Sequence, residues 1–170
     1  MTGFEFKAGV LTISDKSARG EREDKSGSAI KEILEGIPCL LDKYLVVPDE
    51  MERIKDTLIA WCDLHRLSLI ITTGGTGFSP RDLTPEATRA VIERPAPGIS
   101  EAIRMAGLQK TPHAMLSRGI SGIRGRTLIL NLPGSEKAVR ESLEAILPAL
   151  PHALEILSGK AGECGEESSH

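Results

Sequence analysis

The sequence predicts a three-layer α/β fold, an open and mostly parallel sheet with helices on both faces. Two observations predict it. Short aliphatic runs such as residues 67–73 ("LSLIITT") and 126–132 ("RTLILNL") are bounded within a few residues by glycine or proline. Between such runs, apolar residues recur at three- and four-residue spacing, the mark of amphipathic helices. Strands that alternate with helices build parallel crossover units, whose strands are buried on both faces.

In chain order, residues 7–14 ("KAGVLTIS") form the first strand, closed by Ser14-Asp15, and a charged loop containing Gly20 runs to Asp24. Ala29, Ile30, Ile33 and Leu34 mark a helix over 28–34, and "CLLDKYLVV" (39–47) is the second strand. Pro48-Asp49-Glu50 opens a helix with Met51, Ile54, Leu58, Ile59 and Cys62 on one side, which sends Cys62 to the core. Asp49 and Glu52 have the spacing of a capping box. Residues 67–73 form the third and most clearly buried strand. Helices follow over 85–93 and 99–108, the first with Thr84 as N-cap and Pro85 at its first position. "RPAPG" separates them. After the strand at 126–132, Ser135 caps a helical stretch over 136–157, bent or divided at Pro148 and Pro151. The expected organisation is one domain over 1–158 and a Gly-, Glu- and Ser-rich disordered tail over 159–170.

Composition narrows the function. Aromatics are 3% of 170 residues, too few for a stacking platform on single-stranded nucleic acid. Net charge is −3 with no basic stripe, which argues against nucleic acid and membrane surfaces as partners. No apolar run approaches the ~18 residues of a membrane span. No signal peptide is evident, and three cysteines cannot all pair within one chain, so a reducing cytoplasmic setting is expected. Neither cysteines nor histidines have zinc-ligand spacing.

Four loops leave the carboxyl ends of strands and should converge on one rim, where open α/β sheets bind ligands. They are Ser14-Asp15, Pro48-Asp49, residues 74–82 and residues 131–135. Gly74-Gly75-Thr76-Gly77 is neither a Walker loop nor a dinucleotide fingerprint. Its glycines permit positive φ and close ligand approach, and successive amides there form an anion cradle. The bland alternative is a tight strand-to-helix turn. Asp82 is a solvated loop acid or a ligand of a cation, and Asp49 is a helix cap, a ligand, or both. Two carboxylates beside an anion cradle suggest Mg²⁺, which takes one or two carboxylates and fills its shell with water and phosphate oxygens. No histidine or cysteine is placed as a nucleophile or base, so displacement at phosphorus is favoured over acyl transfer. The Asn131 amide can read a polar heterocycle, and the amides near Gly134 and Ser135 can hold a second anion at a helix start. Ser117-Arg118 can contact phosphate or lie idle in a loop.

These residues carry a resemblance. "ISD" at 13–15, "DKSG" at 24–27, "VVPDE" at 46–50 and "TTGGTGFSPRDLTPEAT" at 72–88 recur in order with "PG" at 97–98, "AMLSR" at 114–118, "GIRG" at 122–125 and "LILNLPGS" at 128–135. The chain resembles the MogA/MoaB-type molybdopterin adenylyltransferases and the G domains of plant and animal molybdenum cofactor enzymes, over about residues 6–158. The resemblance implies adenylyl transfer from ATP to molybdopterin with Mg²⁺, releasing pyrophosphate. It also implies a homotrimer and, since no molybdate-insertion domain is attached, a separate insertion protein. It matches Asp49 and Asp82 to the catalytic acids, Gly75, Thr76 and Gly77 to the pterin-phosphate loop, and Ser117, Asn131 and Pro133 to pterin contacts. Ser14 and Asp15 fall near the ligand. A carrier or trimeric scaffold that binds molybdopterin without adenylylating it is the alternative reading.

Overall fold

The protein's structure, a computed structural model, describes residues 5–160. Six strands form one sheet in the order β2-β1-β3-β6-β5-β4. The strands β1 (Phe6–Ile13), β2 (Cys39–Val47), β3 (Leu69–Thr73) and β6 (Thr127–Leu132) are mutually parallel, as expected. Two further strands, β4 (Arg94–Pro95) and β5 (Ser121–Arg124), were not anticipated and pair antiparallel at one edge. At two and four residues they are too short to show an alternating pattern. Pro95 reads locally as a breaker, yet an edge strand tolerates a residue without an N–H.

Alternation along the strands sends successive side chains to opposite faces. Ala8, Val10, Leu69, Ile71, Leu128 and Leu130 pack under α2 (Lys25–Leu34), α5 (Pro97–Leu108), α6 (Glu136–Ile146) and α7 (Leu150–Ser158). Leu11, Ile13, Ile70 and Ile129 pack under α3 (Met51–Ile59) and α4 (Thr84–Val91). Trp61 and the thiol of Cys62, on a widened turn (Ala60–Leu64) that prolongs α3, join this second core. The expected helix over 136–157 is divided where its prolines stand, by a tight turn at Leu147–Ala149. Gly159 ends α7 in the left-handed conformation, and from residue 161 the expected tail lies outside the described residues.

From β1 the chain crosses to β2 on one side, then returns past β1 to β3 on the other. The strand order therefore reverses at the carboxyl ends of β1 and β3. Loops leaving these two strands diverge and open a crevice there.

Candidate active site

The crevice is walled by the ends of β1, β2, β3 and β6. Gly74 and Gly75 follow β3 with φ of +96° and +67°. A Cβ on Gly74 would overlap the Ile13 carbonyl oxygen, and one on Gly75 would overlap the Thr84 hydroxyl. Thr84 is not the N-cap of α4: Leu83 holds that position without a side-chain bond, while the Thr84 hydroxyl donates to Gly74 O at 2.9 Å. A helix start is thereby fastened to the glycine turn.

Both predicted acids stand against this turn. A Cβ on Gly75 would lie 3.2 Å from Asp49 Oδ1, and one on Gly77 would lie 2.9 Å from Asp82 Oδ2. Asp49 does not cap α3, whose N-cap is Glu50 with no side-chain bond. Its Oδ2 instead accepts from Asp15 N at 2.9 Å. Asp82 Oδ2 accepts from Ser79 N at 3.0 Å. Each acid thus spends one oxygen on its own scaffold, and the other has no hydrogen-bond partner among the described residues. Burial raises the pKa of Asp49 above the usual carboxylate value, and the charges of Asp15 and Asp82 push the same way against donation from Asp15 N–H. A cation between the free oxygens would relieve that cost. No group of three or more His, Cys, Asp or Glu could hold a metal among the described residues. Two carboxylates alone make no all-protein cage, so a Mg²⁺ ion held by them would need water and phosphate oxygens to complete its shell.

Two clefts meet at the glycine turn. The first, about 810 Å³, is lined by Ser14, Asp49, Gly74 and residues of the α1–α2 loop, α1 being the short turn Asp15–Ala18. The second, about 480 Å³, is lined by Thr76, Gly77, Ser117, Pro133 and the inner sides of α5 and α6. Gly75, Asp82, Gly134 and Ser135 line both. Ser135 caps α6 as expected, accepting from Ala138 N at 3.2 Å, so the amides of that helix start face the shared rim.

Two predicted site residues line neither cleft. The carboxylate of Asp15 accepts from Asp49 N at 3.0 Å and from Arg81 Nε and Nη2 at 2.8–3.0 Å. Both its oxygens are engaged within the fold. It ties the end of β1 to the loop bearing Asp82. Asn131 is 3% exposed. Its amide donates to the hydroxyls of Thr72 and Thr88 at 3.0 Å each and accepts from Ile120 N at 3.2 Å. The amide expected to read a heterocycle thus spends these hydrogen bonds inside the fold. Replacing Asn131 with Ala should cost about 2–4 kcal/mol by stranding buried partners, measurable by urea unfolding.

Arg118, half-buried, also spends its guanidinium on the fold. It donates to Gly77 O and Asp82 O at 2.8 Å each and pairs with Glu86, clasping both ends of the acid-bearing loop. Sequence reasoning did not assign Arg81, although its place beside Asp82 was a signal. Hydrogen bonding from Arg81 holds the Asp15 pKa low, and Arg118 does the same for Glu86. A depressed carboxyl contributes stability above its unfolded pKa of about 4, lost as pH falls through the lower folded value. Melting temperature should therefore fall as the pH drops below about 4, and Arg81→Gln should flatten that fall in a thermal-denaturation series.

A family model described as a probable molybdopterin binding domain matches residues 9–152, a span containing every residue that lines either cleft. The chain belongs to that family. A molybdopterin adenylyltransferase of Helicobacter pylori is 43% identical over 162 residues, covering 94% of this chain and 92% of the relative. Gephyrin of Dictyostelium discoideum is 46% identical over 166 residues, 92% of this chain but only 23% of gephyrin. The solved molybdopterin biosynthesis enzyme MoaB of Thermus thermophilus superposes with a TM-score of 0.87 at 57% identity, covering 91% of this chain and 98% of that one.

Proposed function

We propose that the chain is a molybdopterin adenylyltransferase of molybdenum cofactor biosynthesis, joining the AMP portion of ATP to the terminal phosphate of molybdopterin. The observation that carries this reading is the meeting of two clefts at one rim made of a glycine turn, a helix start and a free carboxylate oxygen. Two substrates that must exchange a phosphoryl-linked group need such a junction, whereas a carrier of one pterin needs a single cleft. The H. pylori relative bears the name of this activity and matches along nearly its whole length.

In this reading the second cleft takes molybdopterin, with its phosphate against the amides of Gly75, Thr76 and Gly77 and the hydroxyl of Ser117. Pro133 borders the pterin. ATP takes the first cleft with its α-phosphate at the shared rim, near Ser14 and the start of α6. A pterin phosphate oxygen bonds to the α-phosphorus as the bond to the bridging oxygen breaks, and that oxygen departs with its electron pair on pyrophosphate. Asp49 and Asp82 would hold Mg²⁺, which supplies charge neutralisation on the phosphate oxygens. The amides hold the nucleophile in line and offset its charge, so orientation and electrostatics carry the rate.

The test measures pyrophosphate release from ATP with and without molybdopterin. Release that requires both substrates and Mg²⁺ is expected. Tight molybdopterin binding with no release would establish the carrier instead, and release without the pterin would indicate a nucleotide hydrolase. The same reading carries a homotrimer and delivery of product to a separate molybdate-insertion protein in the cytoplasm. Exposed apolar side chains, Phe78 and Met105 among them, offer surface for self-association. Sedimentation equilibrium should give three times the 18.3 kDa chain mass.

A further inference from the structure

The first cleft carries charges of both signs. Asp49 and Asp82 line it. A further part of its wall, the loop before α2 and the first residue of that helix, carries Arg22 and Lys25, both exposed and neither with a hydrogen-bond or ion-pair partner for its side chain among the described residues. Two neighbouring acids do not compete for them. Asp24 accepts from Gly27 N at 2.9 Å and Thr12 Oγ1 at 2.7 Å, and also from the Tyr44 hydroxyl. Glu136 is paired with Arg140. Glu23 is the remaining acid of that wall. The loop is also anchored near the rim, since Ser26, next to Lys25, donates through Oγ to Gly134 O at 2.6 Å.

In-line displacement fixes where the leaving group must go. The nucleophile enters from the second cleft, across the shared rim, so the departing group moves away from that cleft. Arg22 and Lys25 line the first cleft and not the second. We propose that these two side chains seat the β- and γ-phosphates of ATP and then the leaving pyrophosphate, which makes them specificity-determining for a triphosphate donor. This rests on the adenylyl-transfer reading for the direction of displacement. Arg22 offers a planar fork to two phosphate oxygens, and Lys25 a point charge.

Isothermal titration of the full chain with inorganic pyrophosphate in Mg²⁺ buffer, and separately with AMP, tests the seat. Wild-type protein should bind pyrophosphate. Arg22→Gln and Lys25→Gln should each weaken that binding roughly tenfold, with AMP affinity unchanged and the KM for ATP raised. Arg22→Lys and Lys25→Arg should restore most of the loss. Undetectable pyrophosphate binding by wild type, unchanged binding by both Gln variants, or equal losses for pyrophosphate and AMP would overturn the seat. Pyrophosphate binding that depends on both cations, without release from ATP, would retain the anion seat and sink adenylyl transfer. The reverse result would sink the seat alone.

Discussion

Asp82→Asn should lower kcat for adenylyl transfer by a factor on the order of 10²–10³, the typical loss when one charge-stabilising group is removed from a reacting centre. The substitution keeps the shape and the bond from Ser79 N, because an amide oxygen can take the place of Oδ2. What disappears is the negative charge beside Gly77. Asp49→Asn should act in the same direction. It removes a carboxylate whose ionisation burial already opposes, with the charges of Asp15 and Asp82 adding to that cost. A group with a raised folded pKa opposes folding once it ionises above that value. In metal-free buffer at neutral pH the Asp49→Asn protein should accordingly melt no lower than wild type while turning over far more slowly. Steady-state pyrophosphate release and a thermal melt on the same preparations check the pair. Wild-type turnover by either variant would remove that acid from the reaction. A large drop in melting temperature for either would recast its role as structural.

Gly74→Ala should destabilise the fold by about 2–4 kcal/mol, combining backbone strain with a forced overlap. The φ of +96° lies where residues with a Cβ are strained, and the new methyl would run into the carbonyl oxygen of Ile13. That oxygen belongs to the backbone at the end of β1 and cannot rotate away. Gly74 N also bonds to Leu132 O at 3.2 Å, so the turn is pinned between two strand ends. For a chain of this size the expected fall in melting temperature is roughly 4–16 °C. Gly98 supplies the control, since it lies in the first turn of α5 and nothing stands within 4 Å of a Cβ built there. Gly98→Ala should leave stability unchanged or slightly raised. Equal melting temperatures for the two variants would show that the glycine turn is not under steric constraint.

The parallel strands were legible as short aliphatic runs, buried on both faces in β1, β3 and β6, and the helices because their apolar residues keep a 3.6-residue period. Ser135 was legible as a cap, since its bond to Ala138 N spans only three residues. The short range that made such features readable also misled. Asp49 and Glu52 have the spacing of a capping box, yet Asp49 bonds across 34 residues to Asp15, and Thr84, placed to cap α4, bonds back to Gly74. Asn131 stands near the carboxyl end of β6, a position where an amide could serve a ligand. Two threonines and a backbone N–H claim it first.

By itself the sequence determined the parallel core, the glycine turn and the set of groups that leave the strand ends, because propensity, periodicity and turn chemistry act over a few residues. Tertiary structure decided which of those groups remain free. Asp15 is neutralised by Arg81 from 66 positions away, and Asn131 is consumed by Thr72 from 59 positions away. One oxygen each of Asp49 and Asp82 is left without a hydrogen-bond partner among the described residues, and both acids line the first cleft. Such partners are chosen by the burial cost of an unpaired polar group, and that cost exists only once packing has excluded water.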